Sequence, residues 1–423
     1  MSPSVHVAGV AGLILIFIVG TVRPINLGAL ALVMTYLVGT LVVGESATEM
    51  YRGFPADLLV LLVGVTYLFG VAATNGTVER IVEGAARLVR GRRALIPWIV
   101  FVVASLPAMA GALGSAGVAM LAPLALRLAE RYAIDRRMIG LMVVHGAAAG
   151  NFSPLNVLSA IVTQAVAKNG LEMSVSALFL ANLAYNVVLA GVIFLVFGGL
   201  ALLKRDNPAP DDASDVATAT GQADRRLGRD QIWTLVTLTA VAIAAFRFGL
   251  NIGFVALAAA TVLQLLFPAS SAGAEKKIAW SVVLLVCGIV TYVAALQRYG
   301  TMTAAGTGIA GLGGPLLTGL LICAVAAVTS AFASSAGILG AMIPLAVPVM
   351  ARGDIGTTGL VVAIAISATV VDATPFSTVG ALVVANGQPQ EQPQIYRGML
   401  LWGAVMVLTA PLVTWLVFIL PAV

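Results

Sequence analysis

Long apolar runs constrain this chain more than any other feature of its sequence. Of its 423 residues, 60% are hydrophobic and only 10% are charged, and the mean hydropathy is +1.03. The surface of a soluble domain needs roughly a quarter of the residues to be charged. The apolar residues here fall in runs of about 17 to 25, the length with which a helix crosses a hydrocarbon layer of about 30 Å. The sequence therefore predicts an all-α integral membrane protein rather than a β-barrel, which would show short alternating segments.

The apolar runs occur in the same order twice. The first set has spans at 7–22, 26–44 and 57–75, a surface helix at 77–91, a re-entrant helical hairpin at 94–130, an interrupted span at 138–167 and a final span at 175–203. The second set has spans at 231–248, 250–267 and 278–298, a weak surface helix near 300–311, a hairpin at 314–351, an interrupted span at 357–386 and a last span at 396–421. Between them lies a polar stretch that contains two prolines. We therefore predict two repeats, 1–203 and 231–423, joined by the linker 204–230.

Individual residues repeat together with the hydropathy. Asn26-Leu-Gly28 corresponds to Asn251-Ile-Gly253 at an offset of 225, and Ser153-Pro154 corresponds to Thr374-Pro375 at an offset of 221. Offsets that stay so constant over more than a hundred residues indicate a duplication. Because five spans and one re-entrant hairpin make an odd number of crossings, the second repeat is predicted to be inverted relative to the first. Inverted repeats are typical of alternating-access transporters.

The basic residues predict the orientation of the chain. If the loop at Arg23 is cytoplasmic, the alternating spans place 18 of the 23 lysines and arginines inside. Cytoplasmic loops carry such an excess of positive charge. We therefore expect a multi-pass protein of the cell inner membrane, with the linker 204–230 in the cytoplasm and both termini on the opposite side.

Four breaks interrupt the apolar helices, in two matching pairs. The hairpin tips lie at 111–117 and 330–337, and the interrupted spans break at 150–156 and 372–378. Substrates and coupling ions bind at such breaks near the bilayer midplane in inverted-repeat transporters. Freed carbonyls and small hydroxyl or amide side chains suit a hard cation such as Na⁺, and exposed helix N-termini suit a carboxylate. The alternative is that these polar residues only cap or kink packed helices.

The breaks supply the candidate site residues. The predicted substrate contacts are Gly114, Ser115, Asn156, Ser334, Ser335, Ser377 and Thr378. The predicted ion contacts are Asn151, Ser153, Asp372 and Thr374. A sodium ion itself would be held from among Gly111, Ser115, Asn151, Ser330, Ser335 and Asp372.

Asp372 is the one acidic residue that this segmentation places inside an apolar span. An ionisable residue within a membrane is a functional candidate, as an ion ligand or a proton carrier. The alternative is a structural acid held by hydroxyl groups or a helix end. We expect the coupling ion to be Na⁺ or H⁺, with no other cofactor. His145 is interpreted as a packing histidine.

At these breaks the chain resembles the divalent anion–sodium symporters of the ion transporter superfamily. The hairpin tips of that family carry Ser-Asn-Thr, with a proline about ten residues after the serine. Here Ser334-Ser335-Ala336 precedes Pro344, and Gly114-Ser115-Ala116 precedes Pro123, so the motif is degraded in both repeats. The whole chain is most similar to the MatC-type carriers of malonate and C4-dicarboxylates.

The resemblance implies a symporter rather than an enzyme: a secondary active transporter of a small dicarboxylate such as malonate, driven by Na⁺ or H⁺. It implies an elevator mechanism, in which a scaffold (about 7–75 and 231–298) supports a mobile transport part (about 94–203 and 314–421). It also implies a homodimer, and no nucleic-acid partner is expected. The alternative within the superfamily is a cation/proton antiporter, in which Asp372 exchanges ions and no organic anion binds.

Overall fold

A computed structural model describes residues 3–23, 25–78, 80, 93–204, 227–248, 251–301, 304, 314–331, 335–353 and 355–422. The helices of the first half are α1 Pro3–Val22, α2 Leu27–Leu37 with a π-helical extension Val38–Val43, α3 Ala47–Tyr51, α4 Ala56–Thr74, α5 Ile96–Met109, α6 Gly114–Arg131, α7 Arg136–Gly150, α8 Val157–Ala167, α9 Val175–Val196 and α10 Gly199–Lys204. Those of the second half are α11 Arg229–Phe248, α12 Ile252–Leu266, α13 Trp280–Arg298, α14 Gly314–Ser330, α15 Ser335–Met350, α16 Thr357–Thr369, α17 Thr378–Asn386 and α18 Gln392–Thr414, which a π-helix, Trp415–Ile419, extends.

The prediction of an all-α membrane protein is confirmed. No strand occurs in the described ranges. Five helical segments within them are long and apolar enough to cross a bilayer: Ala56–Thr74, Val175–Val196, Trp280–Arg298, Thr357–Asn386 and Gln392–Ile419. The predicted surface helices at 77–91 and near 300–311 and the linker 204–230 lie almost entirely outside the described residues.

Two close helix crossings join the halves of the molecule. A Cβ atom on Gly28 of α2 would lie 2.0 Å from the Leu284 carbonyl oxygen of α13, and one on Gly288 would lie 2.0 Å from the Gly28 oxygen. In the other crossing, a Cβ atom on Gly64 of α4 would lie 2.2 Å from the carbonyl oxygen of Gly253 in α12. Only glycine permits such backbone approach. Gly253 lies 225 residues after Gly28 and Gly288 lies 224 after Gly64. The second span of each half therefore crosses the third span of the other through matching glycines.

The ion pairs of the described residues connect loops that the sequence places on the same side. Lys168 contacts Asp57 at 2.9 Å and Arg298 contacts Glu45 at 2.8 Å, and all four residues are predicted to face outwards. Arg136 likewise pairs with Glu391, and both are predicted to face the cytoplasm; the Arg137–Asp135 pair, at 2.6 Å, lies within a single loop. The contacts agree with the alternation on which the orientation rests, while the inverted arrangement of the two halves stays a prediction.

The glycine crossing gives a prediction about stability. Gly28→Ala should destabilise the protein by about 1–3 kcal/mol, because the new methyl group must push two helix backbones apart. The matched control is Gly191→Ala in α9, where a Cβ atom meets no other atom within 4 Å. Thermal unfolding of the purified variants in detergent would compare them. Equal midpoints for Gly28→Ala and Gly191→Ala would contradict the crossing.

Candidate functional site

The first interrupted span breaks between α7 and α8. α7 ends at Gly150, and Phe152 then adopts a left-handed backbone conformation with φ +63°. Pro154 lacks an N–H group and disfavours helix in the residue before it. The Asn156 side chain accepts a hydrogen bond from the Leu158 N–H at 2.9 Å and so caps α8. The chain therefore leaves one helix and starts the next within six residues.

The second interrupted span breaks between α16 and α17 by related means. A 3-10 turn, Val370–Ala373, follows α16, and Thr374 is extended, with φ −69° and ψ 146°, before Pro375. The Ser377 hydroxyl accepts a hydrogen bond from the Gly380 N–H at 3.0 Å and caps α17. Asn156 and Ser377, which correspond at the offset of 221, therefore have the same capping role.

One hydroxyl in each break ties it to the neighbouring hairpin. Ser153 Oγ donates to the Met109 carbonyl oxygen at 2.7 Å, at the end of α5. Thr374 Oγ1 donates to the Ala331 carbonyl oxygen at 2.8 Å, just after the end of α14. Each bond satisfies a carbonyl that the end of a helix leaves without a partner. Both hydroxyls were predicted as ion ligands, and neither residue lines the cavity described next.

A cavity of about 340 Å³ lies where the four breaks meet. Its polar lining comes from both hairpins and both interrupted spans and consists of Ser115, Asn151, Asn156, Ser335, Asp372, Ser377 and Thr378. All seven were predicted as substrate or ion contacts, as was Gly114, which also lines it. Among the described residues, the first three spans of each half contribute only the apolar side chains of Leu27 and Val282. The structure thus brings the predicted residues of the two halves into one site.

Four helix N-termini point at this cavity. α6 begins at Gly114 and α15 at Ser335, and both residues line it. Asn156 and Ser377, the caps of α8 and α17, line it as well. A helix N-terminus presents unpaired N–H groups and a partial positive charge. Leu113, which precedes α6, provides no side-chain cap, so the first N–H groups of α6 are free for a ligand.

Asp372 receives one side-chain hydrogen bond within the described residues. Ser335 Oγ lies 2.6 Å and 2.7 Å from its two carboxylate oxygens, and Ser330 Oγ donates to Ser335 Oγ at 3.1 Å. A hydroxyl carries a single hydrogen, whereas an ionised carboxylate accepts about four hydrogen bonds. Asp372 is half-buried and opens on the cavity. Its remaining lone pairs are therefore available to a cation or a proton.

The first-half side of the cavity has unused hydrogen-bonding groups instead. Asn151 is 5% exposed, and its Oδ1 atom is buried without any hydrogen-bond partner. The Ser115 hydroxyl, half-buried in the lining, makes no hydrogen bond in the part of the chain that the structure describes. A buried acceptor without a partner costs about 1–3 kcal/mol, which a ligand that satisfies it would recover.

Two further predicted residues, Gly111 and Ser330, do not line the cavity. Gly111 forms the bend of the first hairpin with φ +106°, and a Cβ atom there would lie 3.0 Å from the Leu155 carbonyl oxygen. Ser330 is fully buried and reaches the site only through Ser335. Ser334 lies outside the described residues.

Sequence reasoning missed an aromatic wall and a set of supporting side chains. Phe376 lines the cavity and is 51% exposed, in edge contact with Tyr396 at 6.4 Å between ring centroids. Asn182 and Asn186 lie fully buried behind the first break. Their signal was present in the sequence, since two amides four residues apart within an apolar span share one helix face.

The unequal bonding of Ser115 and Ser335 gives a prediction for the protein without ligand. Ser335→Ala should destabilise it by about 1.5 kcal/mol, near the lower end for a hydrogen bond to a charged group, because the half-buried carboxylate can still reach water. Ser115→Ala should be nearly neutral, because that hydroxyl has no partner. Thermal unfolding in detergent without substrate would compare the two. Equal losses in both variants would contradict the asymmetry.

Comparisons with known proteins agree with this architecture. Residues 2–151 match the family model of the dicarboxylate carrier protein MatC N-terminus, and residues 249–423 match that of the citrate transporter. The crystal structure of the YdaH transporter of Alcanivorax borkumensis, described as having an unusual topology, superposes with a TM-score of 0.63. It is 15% identical and covers 92% of this chain and 96% of its own, so the likeness is one of fold. No curated protein sequence matches significantly.

Proposed function

We propose that this chain, a MatC-like secondary transporter of the ion transporter superfamily and not an enzyme, moves a small dicarboxylate such as malonate or a C4-dicarboxylate across the membrane. The observation that carries the proposal is the convergence of four helix N-termini on one cavity whose described lining holds no lysine, arginine or histidine. Peptide dipoles and N–H groups then bind the anion, as they do at other helix N-termini.

The two ends of the substrate have separate places in this proposal. One carboxylate binds the uncapped start of α6 at Gly114 and Ser115, where the N–H groups and a hydroxyl are free. The other approaches the starts of α8 and α17 at Asn156, Ser377 and Thr378. Leu27, Val282 and Phe376 cover the short carbon chain between them. Ser334, next to Ser335 at the second hairpin tip, is retained as a substrate contact from the sequence.

The charge of the cavity supports a coupling ion. A dicarboxylate dianion would enter beside the Asp372 carboxylate. No basic side chain among the described lining residues offsets their combined negative charge. Concentrated negative charge within a membrane is costly. A cation or proton must therefore enter with the substrate. We propose Na⁺, because Asn151 Oδ1 and the Asp372 carboxylate are hard oxygen ligands with lone pairs to spare; a proton on Asp372 is the alternative.

An elevator mechanism fits the distribution of the lining residues. Every polar group comes from the hairpins and interrupted spans, within 94–203 and 314–421, and the segments 7–75 and 231–298 supply only apolar surface. The first set then moves as the transport part, and the second forms the scaffold of a homodimer. An apolar scaffold surface lets a loaded site slide past without forming new polar contacts.

Uptake into proteoliposomes tests the substrate. We expect counterflow with labelled malonate or succinate from a panel of C3–C6 acids. Ser115→Ala should raise the KM about tenfold to a hundredfold, the effect of losing a hydrogen bond to a charged group. Wild-type KM values in both Ser115→Ala and Ser335→Ala would show that these serines only pack. Na⁺/H⁺ exchange without transport of any acid would favour the antiporter. The observation that supports an antiporter is that Asp372 is the single carboxylate of the described lining.

The role of Asp372 is tested by Asp372→Asn at fixed pH. The amide keeps the size of the side chain but has no charge for a cation and no proton to carry. We expect Na⁺-driven uptake to be lost, while exchange of internal and external substrate at saturating Na⁺ survives in part. Replacing Na⁺ by K⁺ or choline should abolish uptake by the wild-type protein. Full activity without Na⁺ would exclude sodium coupling, and full coupled uptake in Asp372→Asn would exclude this residue.

A further inference from the structure

A chain of buried polar side chains runs from the last span of the protein towards the first break. Trp402 Nε1 of α18 donates to His145 Nε2 of α7 at 2.8 Å, and His145 Nδ1 lies 3.0 Å from Asn186 Oδ1 of α9. An indole N–H only donates, so Nε2 must accept and Nδ1 carries the hydrogen. The imidazole therefore donates to Asn186, and both of its nitrogens are used within the protein. His145 and Asn186 are fully buried, and Trp402 is nearly so.

The direction of the hydrogen bonds continues to the end of α7. Asn186 Nδ2 donates to the Asn182 carbonyl oxygen at 3.0 Å and to its Oδ1 at 3.1 Å. Asn182 Nδ2 in turn faces the carbonyl oxygens of Ala148 at 2.8 Å and Asn151 at 3.2 Å. These carbonyls belong to the last turn of α7 and to the break; that of Ala148 also accepts the Asn151 N–H at 3.1 Å. A single fully buried amide thus orders the backbone at which the helix stops.

The second half of the chain has no counterpart to this network. At the offset of 221, His145 corresponds to Ile366 and Asn182 to Gly403. A Cβ atom on Gly403 would lie 2.4 Å from Thr374 Cγ2, so α18 packs directly against the second break. The backbone of the first break is therefore held by hydrogen bonds from the Asn182 side chain. The second break is instead held by direct packing against Gly403 of α18.

The supported residue also carries an unused acceptor beside the cavity. Asn151 lines the cavity, its Oδ1 atom is buried without a partner among the described residues, and Phe152 after it has the uncommon φ of +63°. A backbone in this conformation persists only where its surroundings hold it. The Asn182 amide, bonded to the Asn151 carbonyl, is such a restraint, and it fixes the direction in which the Asn151 side chain leaves the backbone.

We propose that Asn182, backed by Asn186, His145 and Trp402, is a positioning residue that aims Asn151 Oδ1 at the coupling ion. The inference rests on the proposed function, because it concerns the ion site of that cavity. The inference goes further, because these four residues contact neither ion nor substrate and yet determine the ion affinity of the first half. Outer partners of this kind typically change metal affinity by about 10- to 100-fold when they are lost.

The test uses Asn182→Ala in the full-length protein in proteoliposomes. Uptake of labelled malonate and succinate is measured against the concentration of Na⁺ at fixed pH, and against pH without Na⁺. We expect the half-saturating concentration of the coupling cation to rise about tenfold, with the maximal rate within about twofold of wild type. Trp402→Phe removes only the outermost hydrogen-bond donor of the chain. It should also raise the half-saturating cation concentration, but by a smaller factor than Asn182→Ala. If Asn182→Ala yields no folded protein, Trp402→Phe decides by the same criterion.

A matched control separates positioning from general loosening. Thr414→Val removes another fully buried hydrogen bond of α18, that between Thr414 Oγ1 and Ser367 Oγ at 2.9 Å, which touches no lining residue of the cavity. It should leave the half-saturating concentration unchanged. An equal rise in Thr414→Val, or a wild-type value in Asn182→Ala, would overturn the proposal.

Amide hydrogen exchange, measured without substrate, tests the network independently of the proposed function. Asn182→Ala should speed exchange at 146–156 and leave 366–378 unchanged, whatever the protein transports. If the wild-type protein transports no dicarboxylate, the proposed function fails while this result still tests the network. Unchanged exchange at 146–156 would refute the support of the break by Asn182. Faster exchange there with an unchanged cation affinity would show that the network is only structural.

Discussion

The need to satisfy every backbone polar group inside a membrane governs the rest of this structure. A helix that stops within the hydrocarbon layer exposes carbonyl and N–H groups that lipid cannot bond. In this protein the carbonyl ends of the broken helices are bonded by Ser153, Thr374 and Asn182. The N–H ends face one cavity; Asn156 and Ser377 cap those of α8 and α17, while α6 has no side-chain cap and can accept a negative ligand there. The proposed binding site is thus built around helix ends that the breaks bring together.

Much of the fold is predictable because its determinants are local. Apolar runs predict the helices, and proline with small polar residues predicts the breaks at 150–156 and 372–378. The duplication is predicted from residues that recur at nearly constant offsets, and two of them, Gly28 and Gly253, lie where helix backbones nearly touch. Which helices cross there is decided by packing between distant segments, and sequence periodicity alone contains no record of those pairs.

The site is predictable in its members but not in its bonding. Eight of the expected residues line the cavity, because the breaks that expose polar side chains are recognisable from sequence, whereas Gly111, Ser153, Ser330 and Thr374 do not. The sequence does not reveal which of these side chains bind a ligand and which bind the protein. Ser153 and Thr374 carry hydroxyls that could bind an ion, yet these hydroxyls donate to carbonyl oxygens of the hairpins. His145 was interpreted as a packing histidine, and its two nitrogens are indeed satisfied, but by an indole and an amide from separate helices.

The two halves differ most at the position where Asn151 corresponds to Asp372. A carboxylate at both positions would place two negative charges beside a dianion, and an amide at both would leave no charge to attract a cation. In the proposed mechanism, one of each lets the empty cavity attract a cation first, and the bound cation then offsets the charge of Asp372 for the incoming substrate. The Asp372 carboxylate accepts a hydrogen bond from the Ser335 hydroxyl. Asn151 Oδ1 has no hydrogen-bond partner among the described residues, and the Asn151 backbone carbonyl is bonded by Asn182. In this proposal coupling follows from electrostatics, since neither the anion alone nor the empty carboxylate is a favourable state to carry through the membrane.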